Sequence, residues 1–379
     1  MGARSRLLSD WRLWASLTAL IVAIAIALLP DGAVSGGSPT GGQLAQTLGA
    51  LERTRVGDLL NPQGSLRVWL VLAGSIAVIA ILWGGDVLRP GSVGRAGMRD
   101  VGAIPPTIWM FAAVVVFFAL PMAAGFATSQ PWLVGKENPV TGAAPDPVRA
   151  AAATQLTAYA FAGMFAFVLL FLMRAKAPKA GLGIAPADLA LGVGCFLLAL
   201  PLIELTGTAA SSLHAAVSGH SADKIAHPTL ALIVNHRGEV WAWALIAAAV
   251  LGAPIVEEVV FRGYLQSALL GWTKLPWLSI TITSVLFAAV HVGPATMSGS
   301  AWMLDSWIRS GLVEVGLLAQ GPAQASGAAA SGVPYYALVP LFILSLGLGI
   351  AFERTKRLGV PIAMHAGFNA LNVALALRG

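Results

Sequence analysis

Long apolar runs without charges are the feature that most constrains how this chain can fold. A helix that crosses the hydrocarbon core of a bilayer needs about 20 largely apolar residues. About nine such runs occur along the 379 residues, and they predict an all-α fold, a polytopic transmembrane helical bundle. The predicted spans are 13–30, 66–83, 107–128, 152–173, 188–206, 240–262, 276–296, 336–353 and 360–377.

The composition supports the same class of protein. Hydrophobic residues make up 57% of the chain and charged residues only 11%, whereas an ordinary soluble domain carries about 25% charged residues. Intrinsic disorder is excluded, because it requires low hydrophobicity. A single cysteine, Cys195, excludes an internal disulfide framework and a cysteine-based zinc cluster.

The distribution of basic residues predicts how the bundle is oriented. With a cytosolic N-terminus, most of the 23 Lys and Arg residues fall in short loops on the cytosolic side, as the positive-inside rule requires. The lipid bilayer, with its anionic headgroups, is therefore the expected partner of these charges, and no nucleic acid is needed to explain them. The basic start of segment 13–30 also fits a secretory signal, but its apolar run favours an uncleaved span.

The long loops predicted on the outer side offer weaker signals. Four histidines lie in the loop 207–239 and are predicted to be solvated, with weak metal binding as the alternative; they are His214, His220, His227 and His236. The loop 297–335 contains a stretch that fits either an amphipathic surface helix or an insertion without a function of its own.

Ionisable and amide side chains inside the predicted spans are the candidates for function, because such groups are costly in a bilayer. They are Glu257, Glu258, Arg262, His291, His365, Asn369 and Asn372. Glu258 and Arg262 are four residues apart and can pair on one face of a helix, which leaves Glu257 available. The segment 240–270 is too long for one span, so the helix either breaks at Gly252–Pro254 or projects from the bilayer. If the helix breaks there, both glutamates would lie in the first turn of the new helix, where the helix dipole favours negative charge.

Sequence spacing brings the candidates to a similar depth. Glu257 lies 17 residues before Lys274 and His291 lies 17 residues after it, so a helical hairpin centred on Lys274 places both side chains at one level. His365 follows the last charge of another cytosolic loop by eight residues and shares a helix face with Asn369. These groups are predicted to converge in the cytosolic half of the bilayer.

Three kinds of role fit this set of side chains. A carboxylate and a histidine that share a water form a general base for hydrolysis, with the second imidazole and the amide as oxyanion donors. The same set fits a His₂Glu zinc site. Ion or proton transport and a purely structural polar network also remain open at this point.

Three motifs resemble those of the CPBP family, which includes the CAAX prenyl endoproteases and bacteriocin-immunity proteins. Glu257 to Arg262 matches EExxxR, Phe287 to His291 matches FxxxH, and His365 to Asn369 matches HxxxN. The resemblance implies an intramembrane endopeptidase. Glu257 and His291 would activate the water, His365 and Asn369 would bind the oxyanion, and Glu258 with Arg262 would form an orienting ion pair.

The resemblance also suggests a division of the chain. It covers roughly 185–377, so 1–184 is predicted to be an N-terminal transmembrane region of about four spans and 185–379 the catalytic membrane domain, with a loop insertion near 297–335. The family is described both as metallo- and as glutamate-type proteases. Because the chain lacks HExxH and cysteine ligands, we favour the glutamate mechanism without a cofactor, with Zn²⁺ as the alternative.

The leading hypothesis is thus an intramembrane protease that cuts a membrane-embedded or lipidated peptide, of which the CAAX type is one, from the cytosolic side. The alternatives are a non-proteolytic immunity or scaffold protein of the same family and a metal-dependent version of the protease. A proton- or ion-coupled transporter is a further hypothesis that the complete set of three motifs disfavours.

Overall fold

A computed structural model describes residues 62–89, 91–95, 97–135, 146–218, 228–291 and 335–378, and within these ranges the chain is helical without strands. The predicted span 13–30, His220, His227 and all but the last residue of the loop 297–335 lie outside them. The helices are α1 (Pro62–Gly84), α2 (Ser92–Arg95), α3 (Pro106–Thr128), α4 (Pro131–Val134), α5 (Pro147–Lys176), α6 (Ala187–Ser218), α7 (Pro228–Asn235), α8 (Val240–Thr273), α9 (Pro276–Val290), α10 (Leu338–Thr355) and α11 (Gly359–Arg378).

The helix lengths confirm an all-α, polytopic bundle. Six described helices, namely α3, α5, α6, α8, α10 and α11, are long and apolar enough to cross a membrane. The predicted span 276–296 is longer than the helix found there, because α9 ends at Val290 after 15 residues. At 1.5 Å per residue it covers about 22 Å, less than the hydrocarbon thickness of about 30 Å.

The two ends of the bundle differ in charge. At one end Arg357 pairs with Asp188 at 2.6 Å, and the Asp100 N–H donates to the carbonyl of Lys179. We call this the basic end; it also carries Arg89, Arg99, Arg174, Lys176, Lys274, Arg354 and Lys356. At the opposite end, the far end, Arg237 donates to the carbonyl of Ala376 and the ring of His214 lies 4.8 Å from that of Tyr336.

Helix α8 forms the centre of the bundle, while the periphery is apolar and exposed. Phe261, Tyr264 and Leu265 of α8 belong to a buried cluster that also includes residues of α3 and α5. Large side chains such as Phe111 and Phe171 are exposed on the outside, as expected for surfaces in contact with lipid. The Tyr264 hydroxyl donates to the Ala166 carbonyl at 2.6 Å, so contacts cross the predicted division at residue 184. That division stays a prediction.

Helices α6 and α11 approach closely at Gly192. A Cβ atom there would lie 2.5 Å from the Ala363 Cβ and 2.6 Å from the Val360 carbonyl oxygen. We expect Gly192→Ala to force α11 away and to lower the free energy of unfolding by about 1–3 kcal/mol. Thermal unfolding in detergent measures the effect.

Gly194→Ala is the matched control for this substitution. A Cβ atom at Gly194 would meet nothing within 4 Å, and alanine favours a helix over glycine by up to about 1 kcal/mol. Gly194→Ala should therefore be neutral or stabilising. Equal stability of the two variants would contradict the close-packing explanation.

Candidate active site

The helix that carries the EExxxR motif is continuous, contrary to one of the two alternatives predicted from its length. Helix α8 runs without a break over 34 residues, past Gly252–Pro254. It contains two wider π-helical segments, Ala248–Gly252 and Val259–Leu265. Glu257 and Glu258 therefore lie in mid-helix, where no helix N-terminus stabilises them. The alternative in which the helix breaks at Gly252–Pro254 is therefore wrong, because the wider turn accommodates the proline ring.

The first π-helical segment explains the position of Asn369. In it the Ala253 N–H donates to the Ala248 carbonyl, five residues back. By the same spacing the Ala249 carbonyl faces Pro254, which has no N–H. The Asn369 side-chain nitrogen donates to that carbonyl at 2.8 Å. One of the two amide hydrogens of Asn369 is thereby used to satisfy the backbone, and the other remains for the cavity that Asn369 lines.

Glu257 and His291 meet as the hairpin spacing predicts. Glu257 Oε2 lies 3.7 Å from His291 Nε2, and the two side chains are 17% and 22% exposed. His291 Nδ1 lies 2.6 Å from the Phe287 carbonyl. Because a carbonyl can only accept, the proton of a neutral His291 is on Nδ1. His291 Nε2 then presents a lone pair toward Glu257.

Glu258 has different surroundings from its neighbour. Its carboxylate is fully buried and lies 3.2 Å from Arg262 Nε, and it is 2.9 Å from His365 Nδ1. Arg262 also donates to the Ser345 hydroxyl and carbonyl on α10. Glu258 is therefore a structural anion held by two cationic or donor groups, as the spacing predicted for its pair with Arg262.

Only one ring nitrogen of His365 is available for the oxyanion role that the family resemblance implies. Its Nδ1 is occupied by Glu258, so only Nε2 remains for the cavity, which His365 also lines. Nε2 carries a lone pair when the ring is neutral and can donate only when the ring is charged.

Phe287, the first residue of FxxxH, holds the two histidines apart. Its ring lies 4.7 Å from the His291 ring and 5.6 Å from the His365 ring. The Arg262 guanidinium stacks on the same ring at 4.7 Å. The sequence indicated Phe287 only as a motif position, whereas its packing positions three polar side chains.

A cavity of about 930 Å³ connects the catalytic candidates. Glu257, His291, His365 and Asn369 all line it, as does Asn372, which donates to the Phe368 carbonyl of its own helix. Helix α5 contributes Tyr159, a residue that sequence reasoning missed. No signal singled it out, because a tyrosine in an apolar span is common.

The described residues do not provide a three-ligand metal site at these motifs. The ligand atoms of Glu257, His291 and His365 are not gathered within 4.8 Å of one another. Among the described residues the only such group is Asp146, His236 and Glu239, at the far end. Its contacts have a structural explanation, because Asp146 caps α5 through the Val148 N–H and His236 pairs with Glu239 at 3.0 Å.

A second buried polar network lies toward the basic end and was missed from the sequence. Arg99 contacts Glu353 at 2.7 Å with both side chains fully buried. Gln266 donates to the same carboxylate oxygen at 2.9 Å, and Arg99 donates to Ser267 at 2.9 Å. Arg99 resembled any other charge of a cytosolic loop, so nothing in the sequence distinguished it. This network ties the segment before α3 to α8 and α10.

One of the comparisons with known proteins identifies a family. Residues 239–371 match the family model described as Rce1-like, type II CAAX prenyl endopeptidase. The matched range contains all three motifs and therefore every candidate catalytic residue. No curated protein and no solved structure matches the chain.

Proposed function

Residues 239–371 belong to the Rce1-like type II CAAX prenyl endopeptidase family, and from this we propose that the protein is an intramembrane endopeptidase of the glutamate type. Together with the six apolar helices, the family makes it a multi-pass integral membrane protein. The substrate class that the family implies is a membrane-associated peptide. A lipidated CAAX-type peptide is the finer proposal, which rests on the family alone.

The observation that carries the proposal is the pair of acceptors at the cavity wall. Glu257 Oε2 has no hydrogen-bond partner and lies 3.7 Å from His291 Nε2. Because Oε2 is buried, a small shift of the two side chains would admit one water at about 2.8 Å from each atom. Because both are acceptors, that water donates its two hydrogens to them. Its oxygen lone pairs are then directed toward a substrate in the cavity.

Hydrolysis follows from this arrangement in two steps. The water oxygen attacks the peptide carbonyl carbon while one of its protons passes to Glu257. The second amide hydrogen of Asn369 and a charged His365 stabilise the resulting oxyanion. The C–N bond then breaks, and Glu257 returns the proton to the leaving amine.

For the orientation we propose a cytosolic N-terminus and catalytic groups in the cytosolic half of the bilayer. The distribution of basic residues supports this, because the Lys and Arg residues in the described part of the chain concentrate at the basic end and the positive-inside rule assigns such an end to the cytosol. His365 is the seventh residue of α11, which begins at that end.

The function is tested by comparing the membrane peptides of cells that carry wild-type protein or Glu257→Ala. We expect one or more shortened peptides to disappear and their intact precursors to accumulate in the variant. Normal amounts of the variant in the membrane provide the control for folding. Identical peptides in both strains would contradict proteolysis and favour a scaffold role.

The metal-dependent alternative is tested with chelators. Because the donors of Glu257, His291 and His365 are too far apart for a three-ligand site as they lie, we expect cleavage by the purified protein to continue in EDTA or 1,10-phenanthroline. Loss of cleavage that Zn²⁺ restores would overturn the glutamate mechanism and show that the donors move together.

The structural and the catalytic use of the Asn369 amide can be separated by a substitution at Pro254. Asn369→Ala should lower stability by about 1–3 kcal/mol, because the Ala249 carbonyl loses its donor, and should lower kcat by about 10²–10³-fold. Pro254→Ala supplies an N–H that the Ala249 carbonyl can use. In that background we expect Asn369→Ala to lose little stability and still to lose kcat. Recovery of both quantities together would restrict Asn369 to a structural role.

A further inference from the structure

One wall of the cavity in the candidate active site comes from a part of the chain that the family model does not match. Helix α5 contributes Gln155 and Tyr159 to the cavity. These two residues are four apart and therefore share one face of the helix. The family match begins only at residue 239. A helix that precedes the match thus helps to enclose the candidate catalytic residues.

The ring of Tyr159 lies against a glycine of helix α8. A Cβ atom at Gly252 would lie 3.0 Å from Cδ2 and 3.2 Å from Cγ of Tyr159, so the ring occupies the space that a side chain would fill. Gly252 is the last residue of the π-helical segment Ala248–Gly252. The Asn369 amide donates to the Ala249 carbonyl of the same segment. The segment therefore contacts both Tyr159 and Asn369.

The hydroxyl group of Tyr159 is available to a substrate, unlike that of Tyr264. The Tyr264 hydroxyl donates to the Ala166 carbonyl at 2.6 Å and is part of the buried core. Within the described residues, no hydrogen bond holds the Tyr159 hydroxyl, and Tyr159 is a half-buried residue that lines the cavity. The Glu257 carboxylate interacts electrostatically with this hydroxyl. The hydroxyl is therefore near the proposed general base.

The oxyanion site described above has few donors that are independent of protonation. His365 Nδ1 contacts Glu258, and its Nε2 can donate only when the ring is charged. Asn369 has one amide hydrogen left, because the other is used by the Ala249 carbonyl. A phenol hydroxyl, in contrast, remains a donor throughout the physiological pH range. Tyr159 can therefore supply a donor whether or not His365 is charged.

We propose that Tyr159 donates a hydrogen bond to the oxyanion that forms from the substrate carbonyl, together with Asn369. This role rests on the proposed function and extends it to a residue outside the family match. The Tyr159 proton stays on the phenol oxygen, and no covalent bond to Tyr159 forms or breaks. The hydrogen bond strengthens as negative charge develops on the carbonyl oxygen. Such a contact raises kcat and leaves KM nearly unchanged, because it is stronger in the transition state than in the bound substrate.

Tyr159→Phe tests this role, because it removes the hydroxyl and keeps the ring against Gly252. The substrate is the peptide that the comparison of wild-type and Glu257→Ala membranes identifies. We expect kcat to fall by about 10²-fold, with KM and the unfolding temperature near their wild-type values. A phosphinate analogue of the same peptide, whose tetrahedral oxygens mimic the oxyanion, should bind the variant about 10²-fold more weakly. The cleaved product should bind both proteins equally.

Tyr264→Phe is the matched control, because it removes a hydroxyl that the structure uses for packing. Loss of its bond to the Ala166 carbonyl should lower the unfolding temperature and leave the kcat of the folded protein at the wild-type value. Gly252→Ala is a second test, since its methyl group displaces the Tyr159 ring. It should lower kcat in the wild-type background and add little to the loss in Tyr159→Phe. Equal losses in the two backgrounds would overturn the proposed placement of the hydroxyl.

The failure of this role can be distinguished from the failure of the proposed function. A Tyr159→Phe protein that cleaves the peptide at the wild-type rate would overturn the role of Tyr159 and leave the proposed function intact. Equal weakening of product and phosphinate binding would also overturn it, because Tyr159 would then bind the ground state as strongly as the oxyanion. If the wild-type protein cleaves no peptide, the proposed function fails and the role of Tyr159 fails with it.

Discussion

Replacing Glu257 by glutamine should lower kcat by about 10²–10⁴-fold, as expected for loss of a general base, and leave the unfolding temperature nearly unchanged. The carboxylate Oε2 has no hydrogen-bond partner, and the nearest basic atom is 3.7 Å away. Glutamine has the same shape but cannot accept the proton from water. Because the Glu257 charge contributes little to the stability of the fold, its removal should lower the reaction rate and not the stability.

Glu258→Gln provides the contrast with Glu257→Gln, because Glu258 is the next residue in the chain but contacts different side chains. Glu258 is fully buried between Arg262 and His365. Removing one member of a buried ion pair costs about 3–5 kcal/mol, since the remaining charge is uncompensated. We expect this variant to be less stable and less active, with Glu239→Gln at the exposed far end as a control. Thermal unfolding and steady-state cleavage measured on the same preparations separate the two effects.

A Glu257→Gln protein that cleaves at the wild-type rate would remove Glu257 from the mechanism. Equal loss of stability in the two glutamate variants would contradict the division of labour between them. The first result would require another group to activate the water.

Glu353→Gln should lower the free energy of unfolding by about 3–5 kcal/mol, because Arg99 then remains buried without its counter-ion. Arg99 and Glu353 are fully buried and 2.7 Å apart. The Arg99 guanidinium also stacks on Phe352 at 4.0 Å, so the arginine cannot turn to solvent without disturbing the packing. Chemical unfolding in mixed micelles measures the change.

Two further variants make this prediction specific. The double substitution Arg99→Met with Glu353→Leu removes both charges and should recover much of the lost stability, since apolar replacements of buried ion pairs are often tolerated. Arg174→Gln, at an exposed position of the same end, should have little effect. A Glu353→Gln protein within about 0.5 kcal/mol of wild type would show that the pair does not stabilise the bundle.

Much of the architecture could be predicted because bilayer thickness leaves few choices. Apolar runs of sufficient length coincide with α3, α5, α6, α10 and α11, since backbone groups in lipid must be satisfied within a helix. The pairing of Glu257 with His291 followed from equal spacing on the two arms of a hairpin. That spacing is local, so it needs no knowledge of how distant helices pack.

What the sequence by itself determined is thus the class of protein, most of its helices and the candidate residues for its chemistry. The tertiary structure alone decided which glutamate contacts His365, where Arg99 is buried, and how α8 remains continuous past Pro254. The pair of Glu258 and His365 spans 107 residues, and its geometry depends on how two helices are rotated and tilted against each other. Periodicity places a residue on a helix face, but only packing determines what that face meets.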